Sequence, residues 1–206
     1  MKELGMIFNA EMVRAILDGR KTQTRRPIKW KQTRFTEIAE RDDGSLWPWA
    51  EDCERGGDIW FACPYGEIGD RIWVRETFRV HSRATDVATL VYRASVRSSW
   101  TEQTHRVPVA VCNKPTTPEK WTPSIHMPRW ASRITLEITD VRVERLNDIR
   151  ECDAKAEGGQ TECTLIGDKY YPGFRSLWKS IYGEESWAAN PWVWVIEFKR
   201  VEGGAA

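Results

Sequence analysis

NAEMVRAILDGRKTQTRRP, residues 9–27, holds a helix, its stop and the start of something extended. Val13, Ile16 and Leu17 fall at helical spacing. Asn9 is placed to cap the N-terminus, and Glu11 sits near the helix's positive end. Gly19 is a natural C-terminal stop, and Pro27 prevents a helix from restarting. The chain beyond Gly19 is therefore loop or strand. It is also the most basic part of the molecule. From Ile16 to Arg34 there are seven Lys or Arg and no acid after Asp18.

That concentration stands out because the 206-residue chain carries a net charge of only +1. No global field draws it to nucleic acid or membrane, so electrostatic recognition must come from local patches. A solvated basic loop and an anion site both fit the charge alone. At 41% hydrophobic and 30% charged residues, the composition is that of one globular domain with room for insertions. The five cysteines are odd in number and none forms a C-x-x-C pair, and the three histidines are scattered. No metal and no cofactor are expected, and free thiols suit a reducing cytoplasm. The N-terminus lacks an apolar signal region and no segment has the length of a membrane span, so no membrane partner is expected. Twelve tryptophans either fill core or offer flat walls to bases.

Outward from the opening segment, residues 36–70 carry turn signals and little periodicity. They predict a long loop, with a short hairpin around Gly44. In GDRIWVRETFRV, Ile72, Val74, Glu76 and Phe78 share one strand face. A carboxylate on an apolar face is ion-paired, near a strand end, or functional. TLVYRAS predicts another strand. Residues 98–128 are rich in Pro and Thr and predict a second long loop. SRITLEITDVRVERL alternates at Ile134, Leu136 and Ile138, then shifts phase to Val141 and Val143, which predicts a bulge or bend. NDIRECDAKAEGG predicts a short helix from about Asn147 or Asp148 to Gly158. GFRSLWKSIYG predicts an amphipathic helix with Phe174, Leu177, Trp178 and Ile181 on one face. PWVWVIEFKRV is the clearest strand, with Trp192, Trp194, Ile196 and Phe198 alternating against Val193 and Val195. Short helices among strands without regular βαβ alternation predict an α+β domain or small barrel.

Three segments together resemble the ASCH-domain family of the PUA-like superfamily. AILDGRKTQTRRP is similar to the family's helix followed by G-R/K-K-T-x-T-x-R. EITDVRVERLNDIRECDAKAEG is similar to its strand, bend and short helix ending in an acid. FRSLWKSIYG leading to VWVIEFKRV resembles its last helix and strand, and PYGEIGDRIWVRETF its G-D-x-(I/L)-x-V strand. The long form, with phrases such as PSIHMPRWASRI, resembles ASCH proteins of bacteriophages and prophages. The resemblance implies one domain over residues 1–206, with insertions at about 30–65 and 96–130. Its fold would be a small, mostly antiparallel β-barrel with flanking short helices. It implies work on RNA or a modified nucleoside. One branch of the family removes the acetyl group of N4-acetylcytidine, and its working residues map onto Lys21, Thr24 and Glu157.

Those residue types suit amide hydrolysis, which needs a nucleophile, proton transfer and an oxyanion stabiliser. A threonine hydroxyl needs a base beside it, and lysine serves only when neutral. Arg20, Arg25 and Arg26 are close enough in sequence to lower a lysine pKa or to hold an anion. Lys21 and Thr24 are three apart, which places them on opposite faces of a straight strand. Their convergence therefore requires a turn or twist near Thr22 and Gln23. Glu76, Tyr92 and Trp130 are further candidates to line a ligand site, and each has a bland alternative: an ion pair for Glu76, core for Tyr92 and Trp130. Besides the amidohydrolase, a non-catalytic RNA or modified-nucleobase binding module and a ribonuclease fit the same basic patch. The ribonuclease lacks a histidine pair or a metal cluster to lead it.

Overall fold

A computed structural model describes residues 1–30, 37–52, 54, 56–164 and 167–201, with residues 162–164 and 167–168 described in backbone only. Lys31 and Cys53 fall outside them. In chain order the elements are β1 (Glu3–Ile7), α1 (Ala10–Leu17), β2 (Gln23–Pro27), β3 (Glu37–Glu40), β4 (Leu46–Glu51), β5 (Asp58–Trp60), β6 (Arg71–Arg75), β7 (Phe78–Arg83), β8 (Val87–Tyr92), α2 (Trp100–Gln103), β9 (Thr104–Pro108), β10 (Thr135–Arg145), α3 (Glu151–Ala156), β11 (Glu162–Thr164), β12 (Gly167–Lys169), α4 (Tyr171–Tyr182), α5 (Glu184–Ala188) and β13 (Trp192–Arg200). The class is mixed α+β. Its described ladders are antiparallel apart from β1 with β6. The chain divides into two compact units, residues 1–19, 70–137 and 200 onward in one, and 20–69 with 138–199 in the other.

In the first unit, α1 starts where the sequence predicts: the Asn9 side chain accepts from the Met12 amide at 2.8 Å. Gly19 ends it at φ +72°, a left-handed backbone that favours glycine. β1 lies parallel to β6, and the first residues of β10 lie antiparallel to β6. A separate sheet, β7-β8-β9, carries a core of Phe78, Val80, Leu90, Tyr92, Val107 and Met127. Strand β9 falls in the stretch expected to be loop. THRVP pairs with β8 through Leu90 and His105, but Val107 is its only buried residue, so it shows no alternation.

In the second unit, β3, β4 and β5 form an antiparallel meander. Its β3–β4 hairpin is the one expected around Gly44, whereas β5 falls where only loop is expected. The turn signals are the two hairpin corners. Gly44, at φ +80°, turns the first, with Asp43 accepting from the Ser45 amide at 2.8 Å. Gly56 lies in the second. Pro48 at mid-strand disguises the alternation of Trp47 and Trp49. Strand β13 lies between β10 and β2. It is buried on both faces. Val193 and Val195 join Leu146, Phe174, Trp178 and Trp187, while Trp194 meets Trp47 edge-on at 5.1 Å. The phase shift in β10 is present: Leu136 and Ile138 are buried, then Val143. Helix α3 begins at Glu151, later than expected, because residues 146–148 form a 3-10 turn. In α4, Phe174 and Trp178 are buried and Ile181 is exposed.

Candidate functional site

The basic stretch enters the second unit directly after Gly19. Before β2 begins, the Thr22 amide donates to the Ala156 carbonyl at 2.8 Å, and Lys21 forms an antiparallel bridge with Glu157. Glu157 is the C-cap of α3, followed by Gly158 at φ +74°. Backbone pairing thus fixes the end of a six-residue helix against the approach to β2, and the two side chains meet.

Lys21 Nζ donates to Glu157 Oε2 at 2.7 Å, to the Glu157 carbonyl at 2.9 Å and to the Gln23 carbonyl at 2.7 Å. Three acceptors match the three hydrogens of an ammonium. The side chains of Lys21 and Glu157 are 0% and 2% exposed. Burial pulls the Lys21 pKa below its ordinary value. Glu157 opposes that pull, and Arg26 and Arg25 add to it.

Arg25 arrives from β2 itself. It reaches Glu157 Oε1 at 3.4 Å, Glu144 Oε2 at 2.9 Å and Asp153 Oδ2 at 3.6 Å, with its side chain 0% exposed. Gln23, with its amide oxygen turned toward Arg25, accepts at 2.6 and 3.2 Å. Asp153 and Glu157 are four apart and so share a face of α3. Glu144 is held in turn by Arg142 Nε at 2.6 Å, and Arg142 also pairs with Asp140 at 3.0 Å and Glu197 at 2.6 Å. Burial raises the Glu144 carboxyl, but Arg142 and Arg25 outweigh it and leave it below its ordinary value. A cleft of about 440 Å³ opens on this network, lined by Arg142, Glu144, Asp148, Arg150, Cys152 and Asp153.

The structure brings Lys21, Arg25 and Glu157 together. Thr24 is 1% exposed, and its backbone pairs with Ile196. It alternates with Gln23 and Arg25 along β2, and none of the three Lys21 Nζ bonds goes to it. Arg26 shares the Thr24 side of the strand and is half-buried near Tyr65. Arg20 is exposed and reaches the Gly158 carbonyl at 3.5 Å.

Glu76, Tyr92 and Trp130 belong to the first unit. Glu76 is 1% exposed and bound in a fork by Arg133, at 2.9 Å from Nε and 3.1 Å from Nη2. The Arg133 guanidinium also donates to Ser95 Oγ and lies 4.0 Å over the Tyr92 ring. Burial raises the Glu76 pKa, against the pull of Arg133. Burial likewise raises the Tyr92 phenol, which donates to the Ala131 carbonyl at 2.7 Å. Trp130 packs edge-on against Phe78, and its indole N–H has no partner among the described residues.

The chain matches no family model, no curated protein and no solved structure. The chemistry open to the site therefore rests on its own atoms. A buried ammonium faces a carboxylate at 2.7 Å, and its burial works against the charged form of the lysine. No group of three or more His, Cys, Asp or Glu among the described residues could hold a metal ion. Glu144, Asp153 and Arg142 complete the network and are not singled out by the sequence motif. Two signals point to them: the i, i+4 spacing of Asp153 with Glu157, and the i, i+2 spacing of Arg142 with Glu144 on a strand.

Proposed function

We propose that the chain is an ASCH protein of the PUA-like superfamily, a small barrel with flanking helices and additions at about 30–65 and 96–130. Its reaction is hydrolysis of the acyl amide of N4-acetylcytidine-type nucleosides, in a reducing cytoplasm. One observation carries this. Lys21 and Glu157, to which the resemblance gives the proton transfers, meet through a 2.7 Å bond across 136 residues of chain. The Thr24 hydroxyl adds to the acyl carbon and its proton goes to Lys21, which has passed one to Glu157. Collapse breaks the C–N bond, and the amine leaves with a proton from Lys21. Water then hydrolyses the threonyl ester, giving cytidine and acetate. Arg26 or a backbone N–H stabilises the oxyanion.

The test is cytidine release from N4-acetylcytidine, followed by chromatography. Lys21→Ala is expected to slow it by about 10²–10⁴-fold. No release by the wild type, or a rate indifferent to Lys21→Ala, rules the enzyme out. The near-complete burial of Lys21, Arg25 and Glu157 favours a second function, a non-catalytic module that binds RNA or a modified base above a structural ion network. Single-stranded RNA binding that falls steeply with salt would support it, and a flat salt response would count against it.

A further inference from the structure

The basic stretch has an acidic counterpart, and it folds as the meander. Residues 37–60 hold eight Asp or Glu and two Arg, a net of −6 in a chain of net +1. The same stretch supplies three of the twelve tryptophans, Trp47, Trp49 and Trp60. The pairing of β3, β4 and β5 brings the two features onto one surface. Register sets Glu37 opposite Trp49, Trp49 opposite Trp60, and Glu51 opposite Asp58. Directly opposed residues share a face, as do residues two apart on a strand. Trp49 therefore has Trp47 and Glu51 beside it along β4, Glu37 across one ladder and Trp60 across the other. Its indole N–H donates to Asp58 Oδ1 at 2.8 Å, which fixes the ring. Trp49 is part-exposed, and Glu37, Glu51 and Asp58 are exposed.

The face also shows what it accepts. Arg41, at the first hairpin corner, lays its guanidinium over two of the rings, with Cζ 4.0 Å from the Trp47 centroid and 5.1 Å from that of Trp60. Both distances fall within the reach of a cation–π contact, about 6 Å. No cation stands over Trp49 among the described residues. We infer that this face of the meander is a docking surface for an arginine-bearing basic segment of a protein partner, whose guanidinium stacks on Trp49 and pairs with Glu37. Tryptophan is the ring that holds a cation best. A guanidinium is flat, more weakly hydrated than an ammonium and able to give two parallel bonds to one carboxylate, so it uses the ring and the acid together. Glu37, Glu40 and Asp42 have no ion-pair partner among the described residues, so docking breaks no internal bridge there. The bases of a nucleic acid could stack on the same ring, but its phosphates would meet the net −6 of the meander. The inference uses none of the residues of the reaction proposed above.

The full-length protein is titrated into fluorescein-labelled hexa-arginine and anisotropy is read. Saturable binding that weakens as salt rises is expected. Hexalysine is expected to bind about threefold more weakly. Glu37→Lys, an exposed change, is expected to weaken hexa-arginine about fivefold or more, and Trp49→Leu about threefold or more. Glu119→Lys makes the same charge change on an exposed loop of the first unit and is expected to leave the affinity unchanged. If Trp49→Leu does not fold, the contrast of Glu37→Lys with Glu119→Lys decides alone. No binding by the wild type, equal loss in the two lysine variants, or hexalysine bound as tightly as hexa-arginine overturns the inference. Labelled hexauridylate whose binding is lost in Trp49→Leu would make the face a nucleic-acid platform and overturn it as well.

Discussion

At the scale of single residues, the chemistry is set by what surrounds each group. Lys21→Met leaves the Glu157 carboxylate buried with its strongest partner gone. Loss of one member of a buried pair costs about 3–5 kcal/mol, which urea unfolding would measure. Unchanged stability would mean that Arg25 alone suffices for Glu157. The cysteines give a second contrast. Burial pushes the Cys63 thiol up to about 12, so its thiolate at pH 8 is scarce. Relative to an unperturbed thiol near 8.5, native Cys63 should alkylate about 10³-fold more slowly than after unfolding in urea. Comparable native and denatured rates would show that it is not shielded. Lys21 and Glu157 are legible only because a motif points at them. Nothing local in Glu157 announces it: it is the last acid of a short polar helix, and its burial follows from a backbone bridge made 136 residues away.

At the scale of elements, legibility follows burial asymmetry. Helices α1 and α4 bury one stripe each, so their periodicity can be read directly, and in α1 the cap and the stop with it. Strand β13 alternates in sequence yet is buried on both faces over residues 193–196, where its Trp, Val and Ile are all apolar; only toward its end do Glu197 and Lys199 mark one face as polar. Of the meander, only the hairpin at Gly44 is legible in the sequence; β5 and β9 escape it for the opposite reason, because short strands bury too little to leave a pattern. Close packing makes one glycine of α4 decisive. A Cβ on Gly173 would lie 2.0 Å from the Gln160 carbonyl oxygen, a backbone atom that cannot swing aside. Gly173→Ala should cost about 1–3 kcal/mol by thermal unfolding, despite alanine's better helix propensity. A neutral or stabilising result would show that the preceding loop yields. At the helix start of α1, Asn9→Ala should cost about 1 kcal/mol, read in the same assay.

At the scale of the whole molecule, stability depends on pH through groups that pull in opposite directions. Glu76 has a folded pKa raised above its unfolded value of 4.5 by burial. The folded state therefore holds that proton more tightly. The group favours folding at pH below 4.5, and the benefit is lost as pH rises through the raised value. Glu144 has a lowered pKa, so its contribution is present above 4.5 and lost as pH falls. In Glu76→Gln, the loss of stability on going upward from pH 4.5 should disappear while the acid-side loss persists. Unfolding curves across about pH 3–8 would show it, and a wild-type-like slope on the alkaline side of the Glu76 transition would refute the assignment. No helix among the described residues is long and apolar enough to cross a membrane.

The bond between Lys21 and Glu157 also sets a timetable. Its partners are 136 positions apart, so closing that contact costs far more chain entropy than forming either neighbouring helix. Contacts of such separation belong to the slow part of folding. During synthesis, Lys21 emerges long before Glu157 exists and cannot acquire its buried partner until most of the chain has been made. In refolding from urea, α1 and the hairpin at Gly44 can form early from local contacts, whereas the Lys21–Glu157 bond must wait for the closing of α3 onto the approach to β2. The Lys21–Glu157 contact is thus a late event in the life of each molecule.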